Sequence, residues 1–181
     1  MGSAQSHLEK NSVGIGDLFL FFGLFRKTII DNGSLTFDPA SKPVHLIYGY
    51  LQIGAVHRVS DLKKVPVWMK YHPHFNKAIK HQNNTIYQAT DRLTFDEKLS
   101  GAGILKYHPS LVLTKPGQTP SQWSLPNCFK NINITYHTGT KNYGWHKDYF
   151  QSALRGQEFI IEENDDVSQW ATNLILENKP T

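Results

Sequence analysis

Apolar positions fall into several short runs and one helical stripe. Leu18 to Phe22 is apolar at every position, the pattern of a strand covered on both faces. Gly23 interrupts the run and reads as a bulge. Before it, Val13-Gly-Ile-Gly-Asp17 reads as a turn, since glycine permits positive φ and aspartate can hold local backbone. Asp31-Asn-Gly-Ser34 is a hairpin turn. Val44 to Gln52 is a second strand, continued by Ile53 to Val59. Its alternation puts Tyr48 and Tyr50 on one side, with Ile47 and Gly49 on the other. Further strands are expected at Thr85 to Ala89, between Gly101 and Val112, at Ile132 to Tyr136 and at Phe159 to Ile161. Short helices are expected at Gln5 to Glu9, after Pro66, and at Tyr149 to Leu154, the last stopped by Gly156. Near the end, Val167, Trp170, Ala171, Leu174 and Ile175 form a helical stripe. Asp165 or Asp166 is placed to cap it, with Asp166 and Gln169 as a capping-box-like pair. No repeat or low-complexity tract divides the chain. The pattern predicts an α+β class, a single β-rich domain over 1–181 with a few short helices and a C-terminal amphipathic one.

Composition narrows the class. The 181 residues are 39% hydrophobic and 19% charged, enough to build a core without a metal or disulfides. Cys128 is the one cysteine, which excludes an intramolecular disulfide framework and a Cys-rich zinc site. The densest apolar run, Asp17 to Phe25, is too short to span a bilayer, and no charged-then-apolar signal peptide opens the chain. The expected setting is a reducing cytoplasm, with no membrane partner.

Net charge is +4, and its distribution matters more than its total. Between His57 and His81 lie Arg58, Lys63, Lys64, Lys70, Lys77 and Lys80 against Asp61 alone, a net of +5. Glu158 to Glu177 holds six acidic residues and no Lys or Arg. A basic block of this kind is either a solvated loop or a surface that meets phosphate.

Several chemistries lack their residues. No glycine-rich loop ends in Gly-Lys-Ser/Thr, and Val13 to Asp17 precedes a strand, whereas a phosphate cradle needs a helix N-terminus behind its glycines. His72-Pro-His74 with His81 could offer imidazoles, but no acidic or cysteine ligand is near, so no metal or other cofactor is expected. Cys128 has no neighbouring base and reads as a structural thiol. Gln151 to Phe159 is richer. A turn at Gly156 presents Arg155, Gln157 and Glu158, a guanidinium fork with amide and carboxylate partners. They suit a phosphate or base edge, or else form an internal pair that fixes the turn. His137 stands just past a strand, where functional side chains are often displayed. Among Tyr48, Tyr50, Trp68, Trp123 and Trp145, one or two are expected to line a pocket and the rest to be core.

Ordered blocks carry a family resemblance. They are Ala4-Gln-Ser-His-Leu8, Gly14-Ile-Gly-Asp-Leu-Phe-Leu-Phe-Phe-Gly-Leu-Phe-Arg26, His45 to Gly54, His72-Pro-His74, Asn84-Thr-Ile-Tyr87, Trp123-Ser-Leu-Pro126, Tyr136-His137 and Arg155-Gly-Gln-Glu-Phe159. Together the chain resembles the third family of bacterial and phage nucleotide modification associated domains. The resemblance implies a link to systems that modify or restrict bases. It also implies a substantial N-terminal portion before Ala4, which leaves three options: a fragment, one piece of a split protein, or a natural short form. The Gly-Asp turn before an apolar strand is further similar to modified-base readers of the PUA, ASCH and EVE kind. That likeness implies a partly closed barrel with an aromatic-lined pocket.

The leading expectation is a binding module for nucleic acid or a nucleotide that recognises a modified or flipped base. Arg58, Lys63, Lys64, Lys70, Lys77 and Lys80 would contact phosphate. Arg26, Tyr48, Gln52, Trp68, His74, Arg155 and Gln157 would form the pocket, with Trp68 stacking and Gln157 reading a base edge. One alternative is an enzyme on a modified nucleotide, a hydrolase, glycosylase or transferase with His137 and Glu158 as acid and base. Another is a subunit completing a protein partner.

Overall fold

A computed structural model describes residues 1–62, 64–75, 83–153 and 158–179. Two α-helices and eleven strands are assigned among them. The chain divides into two compact units, each built from two separate stretches. Unit 1 is Met1–Phe19 with Tyr50–Gly103, and unit 2 is Leu20–Gly49 with Ile104–Thr181. The strands β1 (Leu18–Phe25) and β4 (Val44–Arg58) each begin in the sequence of one unit and end in that of the other. With β5 (Thr85–Ala89) they lie in the order β1, β4, β5, and β8 (Ala102–Ile104) also pairs with β4, while β6 (Arg92–Leu93) pairs with β7 (Asp96–Ser100).

In unit 1 the far half of β4 pairs antiparallel with β5, from Ile53 opposite Ala89 to Arg58 opposite Thr85. The register slips between Ile53 and Ala55. The reason is Gly54, where an added Cβ would stand 2.8 Å from the Thr90 backbone. Gly101 is tighter still, since a Cβ there would collide with the Thr90 carbonyl oxygen, so only glycine lets these segments approach. The helix α1 (Gly2–Lys10) is tied to this sheet by polar contacts. Asn83 grips both the amide and the carbonyl of Gly2, and Gln5 donates to the Tyr87 hydroxyl at 3.0 Å. The expected turn at Val13 to Asp17 forms, with Gly16 at φ 98 and the Asp17 carboxylate accepting the Gly14 N–H at 2.8 Å. Ile53, Met69 and Leu93 form the buried centre.

In unit 2 the strands β2 (Thr28–Asp31) and β3 (Ser34–Phe37) make the expected hairpin, with Ile30 opposite Leu35. Asn32 and Gly33 both take positive φ, the geometry of the tight turn that matches strand twist. A small sheet orders β10 (Gly144–Trp145), β11 (Phe150–Gln151) and β9 (Gln122–Trp123). Here the described residues of the helix expected at Tyr149 to Leu154 form β11 instead, because Phe150 is buried against Trp123 and its backbone pairs with that strand; Leu154 lies outside the described residues. Ile132 to Tyr136 and Phe159 to Ile161 reduce to one bridge between Ile134 and Ile161. The last helix, α2 (Asp165–Glu177), buries Val167, Ala171, Leu174 and Ile175, as its stripe predicts. Its cap sits one residue earlier than expected, at Asn164, whose side-chain oxygen accepts the Val167 N–H at 3.1 Å. Asn164→Ala is expected to cost about 1 kcal/mol, read as a melting point lower by roughly 2–4 °C.

A second difference concerns β1. The run that reads as covered on both faces leaves Phe21, Leu24 and Phe25 exposed, while Phe22 packs edge-on against Trp123. The strand continues through Gly23 to Phe25. No helix among the described residues is long and apolar enough to cross a membrane.

Candidate nucleic-acid interface

After Arg58 the unit 1 chain makes three short 3-10 turns, at Val59–Asp61, Val67–Met69 and Pro73–Phe75. Pro66 and Pro73 keep this stretch from forming a longer helix. The second turn divides its side chains sharply. Met69 is fully buried and anchors the turn, while its neighbour Trp68 is 57% exposed. The Trp68 ring stands edge-on to His57, 6.0 Å between centroids. His57 is itself fixed, with Nε2 2.8 Å from the Gln88 side-chain oxygen. Tyr71 follows and is 88% exposed, with the Lys70 ammonium 5.7 Å from its ring centre. Two outward rings on anchored turns, with Lys64, Lys70 and Arg58 exposed in the same stretch, match the aromatic-and-cation pattern that stacks bases and holds phosphate. Arg58 meets Glu9 at 3.7 Å, an exposed pair too weak to keep the guanidinium from a phosphate.

The two histidines beneath this segment brace it. His74 Nδ1 donates to the Thr85 carbonyl at 2.9 Å, and the His74 amide donates to His72 Nδ1 at 3.2 Å. Asn84 then donates to the His74 carbonyl at 2.6 Å. Burial, the largest cause, holds His74 below its ordinary value, against the opposing pull of the Thr85 hydrogen bond. His74 therefore serves as a brace with its proton on Nδ1. Gln52 is also a brace. Its amide donates to the Gly16 carbonyl and the Thr94 hydroxyl, and its oxygen accepts the Thr94 N–H at 2.9 Å. Both ends of the side chain are committed to loops, which takes it away from a base edge.

Unit 2 holds the remaining described candidates. Tyr48 is half-exposed beside Phe21 and Phe25. Arg26 donates to the Ser41 and Asp38 carbonyls and covers the Phe37 ring at 5.5 Å. His137 is 1% exposed among Phe150, Phe159 and Tyr143. Its Nδ1 donates to the Thr135 carbonyl at 2.9 Å and its Nε2 accepts the Ala153 N–H at 3.3 Å. Burial holds its pKa below the ordinary value, so the ring is neutral and has no nitrogen left for acid–base work. Glu158 is exposed. The expected convergence of His137 and Glu158 in a cleft thus lacks its histidine. Trp123 is core, donating to His45 Nδ1 and the Pro120 carbonyl, each at 3.1 Å. Arg155, Gln157, Lys63, Lys77 and Lys80 lie outside the described residues.

One side chain of the candidate interface escapes the sequence reasoning, Tyr71. The available signal was its place between Lys70 and His72 inside the basic block. Among the described residues, no three histidine, cysteine or acidic side chains gather as metal ligands.

The family model for nucleotide modification associated domain 3 matches residues 1–162. No curated protein matches the chain, and no solved structure does.

Proposed function

Given that the chain belongs to the family of nucleotide modification associated domain 3, we propose that it binds nucleic acid or a nucleotide at a modified or flipped base. The family supplies the nucleotide-modification setting. One observation carries the rest: Trp68 and Tyr71 are held out on turns anchored by the buried Met69, with exposed cations beside them. A solvent-facing tryptophan on a fixed turn offers a π-face at little ordering cost, and any base can stack on it. Arg58, Lys64 and Lys70 contact phosphate, joined by Lys63, Lys77 and Lys80. In this proposal the base sits in an aromatic-lined pocket of the PUA, ASCH or EVE kind, and the setting is bacterial or phage modification and restriction in the cytoplasm.

The test is fluorescence anisotropy with labelled DNA and RNA oligomers, modified and unmodified, at about 50 and 200 mM salt. Three to six phosphate contacts predict a log–log salt slope of roughly −2 to −5. A modified base should tighten binding at both salts. Weak binding that ignores the modification and the base content alike would sink the proposal.

A further inference from the structure

Unit 2 carries its own exposed aromatic surface, distinct in residues from the Trp68 segment. One face of β1 presents Phe21, Gly23 and Phe25, and Tyr48 of β4 lies beside them. The Tyr48 ring is 6.2 Å from Phe21 at an interplanar angle of 27°, and 5.6 Å from Phe25 at 58°. Phe21, Phe25 and Tyr48 are 38%, 41% and 39% exposed. Gly23 forms the floor beneath them, where a Cβ would stand 3.1 Å from the Phe25 ring and 3.6 Å from that of Tyr48. The rings therefore lie low over bare backbone instead of standing apart on flanking side chains.

The next residue supplies charge. Arg26 is held by Nε to the Ser41 carbonyl at 3.1 Å and by Nη2 to the Asp38 carbonyl at 2.9 Å. Nη1 has no hydrogen-bond partner among the described residues. Lys27 and Lys42, which follow Arg26 in sequence, are exposed. The Asp38 carboxylate turns back onto the Ala40 N–H at 2.8 Å, so it does not pair with the guanidinium.

We infer that this face of Phe21, Phe25 and Tyr48, with Arg26 at its end, is a stacking platform for the unpaired bases of a single-stranded nucleic acid. The inference rests on the nucleic-acid reading above and adds a second contact surface to it. Aromatic rings in a row with a fixed guanidinium suit bases joined by phosphates. Branched aliphatic side chains would suit a protein partner better, and they are absent from this face of the strand. Stacking of this kind tolerates any base sequence, because every base has a π-face.

The test uses the full chain with labelled oligothymidylate and an abasic oligomer of equal length, which keeps the phosphates and removes the bases. Phe25→Ala/Tyr48→Ala should weaken oligothymidylate roughly ten- to hundredfold and leave the abasic oligomer unchanged. Arg26→Ala should weaken both. Gly23→Ala keeps every ring but lifts the floor, and should weaken oligothymidylate alone. It also covers the risk that the double variant does not fold. If oligothymidylate binding survives these changes but is lost in Trp68→Ala, the platform is overturned and the nucleic-acid reading stands. If the wild-type protein binds the abasic oligomer as tightly as oligothymidylate, both fall. If the double variant instead lowers the mass by sedimentation with base binding intact, the face joins copies of the chain and the platform is again overturned.

Discussion

His137→Ala is expected to destabilise unit 2 by about 4 kcal/mol, a large effect for one substitution. Two losses combine. The ring fills space among Phe150, Phe159 and Tyr143, and alanine leaves a cavity there. The Thr135 carbonyl and the Ala153 N–H also lose their partner in a buried place, each worth about 1–3 kcal/mol. Urea unfolding followed by tryptophan fluorescence measures it, since Trp123 lies in the same cluster. If His137 were an acid–base group in an open cleft, alanine would leave stability nearly unchanged.

The same ring makes stability depend on pH with a definite sign. His45 and His137 are both held below the ordinary value of 6.5 by burial. Each ring accepts an N–H, His45 from Trp123 and His137 from Ala153, so protonation would set donor against donor. Below pH 6.5 the unfolded chain takes up protons that the folded chain refuses. Stability is therefore full above pH 6.5 and is lost as pH falls through the lowered folded values. The urea midpoint should drop between pH 7.5 and 5.5, and the drop should be smaller in His137→Ala. A flat wild-type midpoint would show that neither ring is neutral in the fold.

His137 also shows where a sequence stops being legible. Its position just past an apolar stretch is visible, but the two backbone groups that consume its nitrogens come from Thr135 and Ala153, and Ala153 is sixteen residues away. The three tryptophans at 68, 123 and 145 carry one shared expectation, pocket or core. Their fates differ because Phe22, His45 and Phe150 surround Trp123, whereas Trp68 meets mainly His57. Local chemistry was readable where local contacts decide the outcome. Asn32-Gly33 sets its hairpin, and the stripe from Val167 to Ile175 sets the last helix. The apolar run of β1 was readable as a strand but not as half-open, since an all-apolar run does not reveal which face lacks cover. The basic block was plain from charge alone, while the division between bracing His74 and displayed Trp68 depends on which side of each turn meets Met69's core.

Trp68→Ala/Tyr71→Ala is expected to reduce affinity for a base-containing oligomer roughly a hundredfold while leaving the salt slope unchanged. Both side chains project outward, so their removal opens no core, and the melting point should stay within a few degrees. Lys64→Gln/Lys70→Gln should instead flatten the slope by about 1.5 to 2 and weaken base-containing and abasic oligomers both. The two effects separate because base stacking does not release counterions and phosphate contact does. One coupling follows from geometry. Lys70 lies over the Tyr71 ring, so Lys70→Gln alone should also remove part of the base-dependent term, and Lys64→Gln should not. Titrations of the four variants against matched base-containing and abasic oligomers read all three effects. Equal loss for both oligomers in the aromatic double variant would mean that Trp68 and Tyr71 only hold the loop in place, and the interface would then be a phosphate surface without a base site.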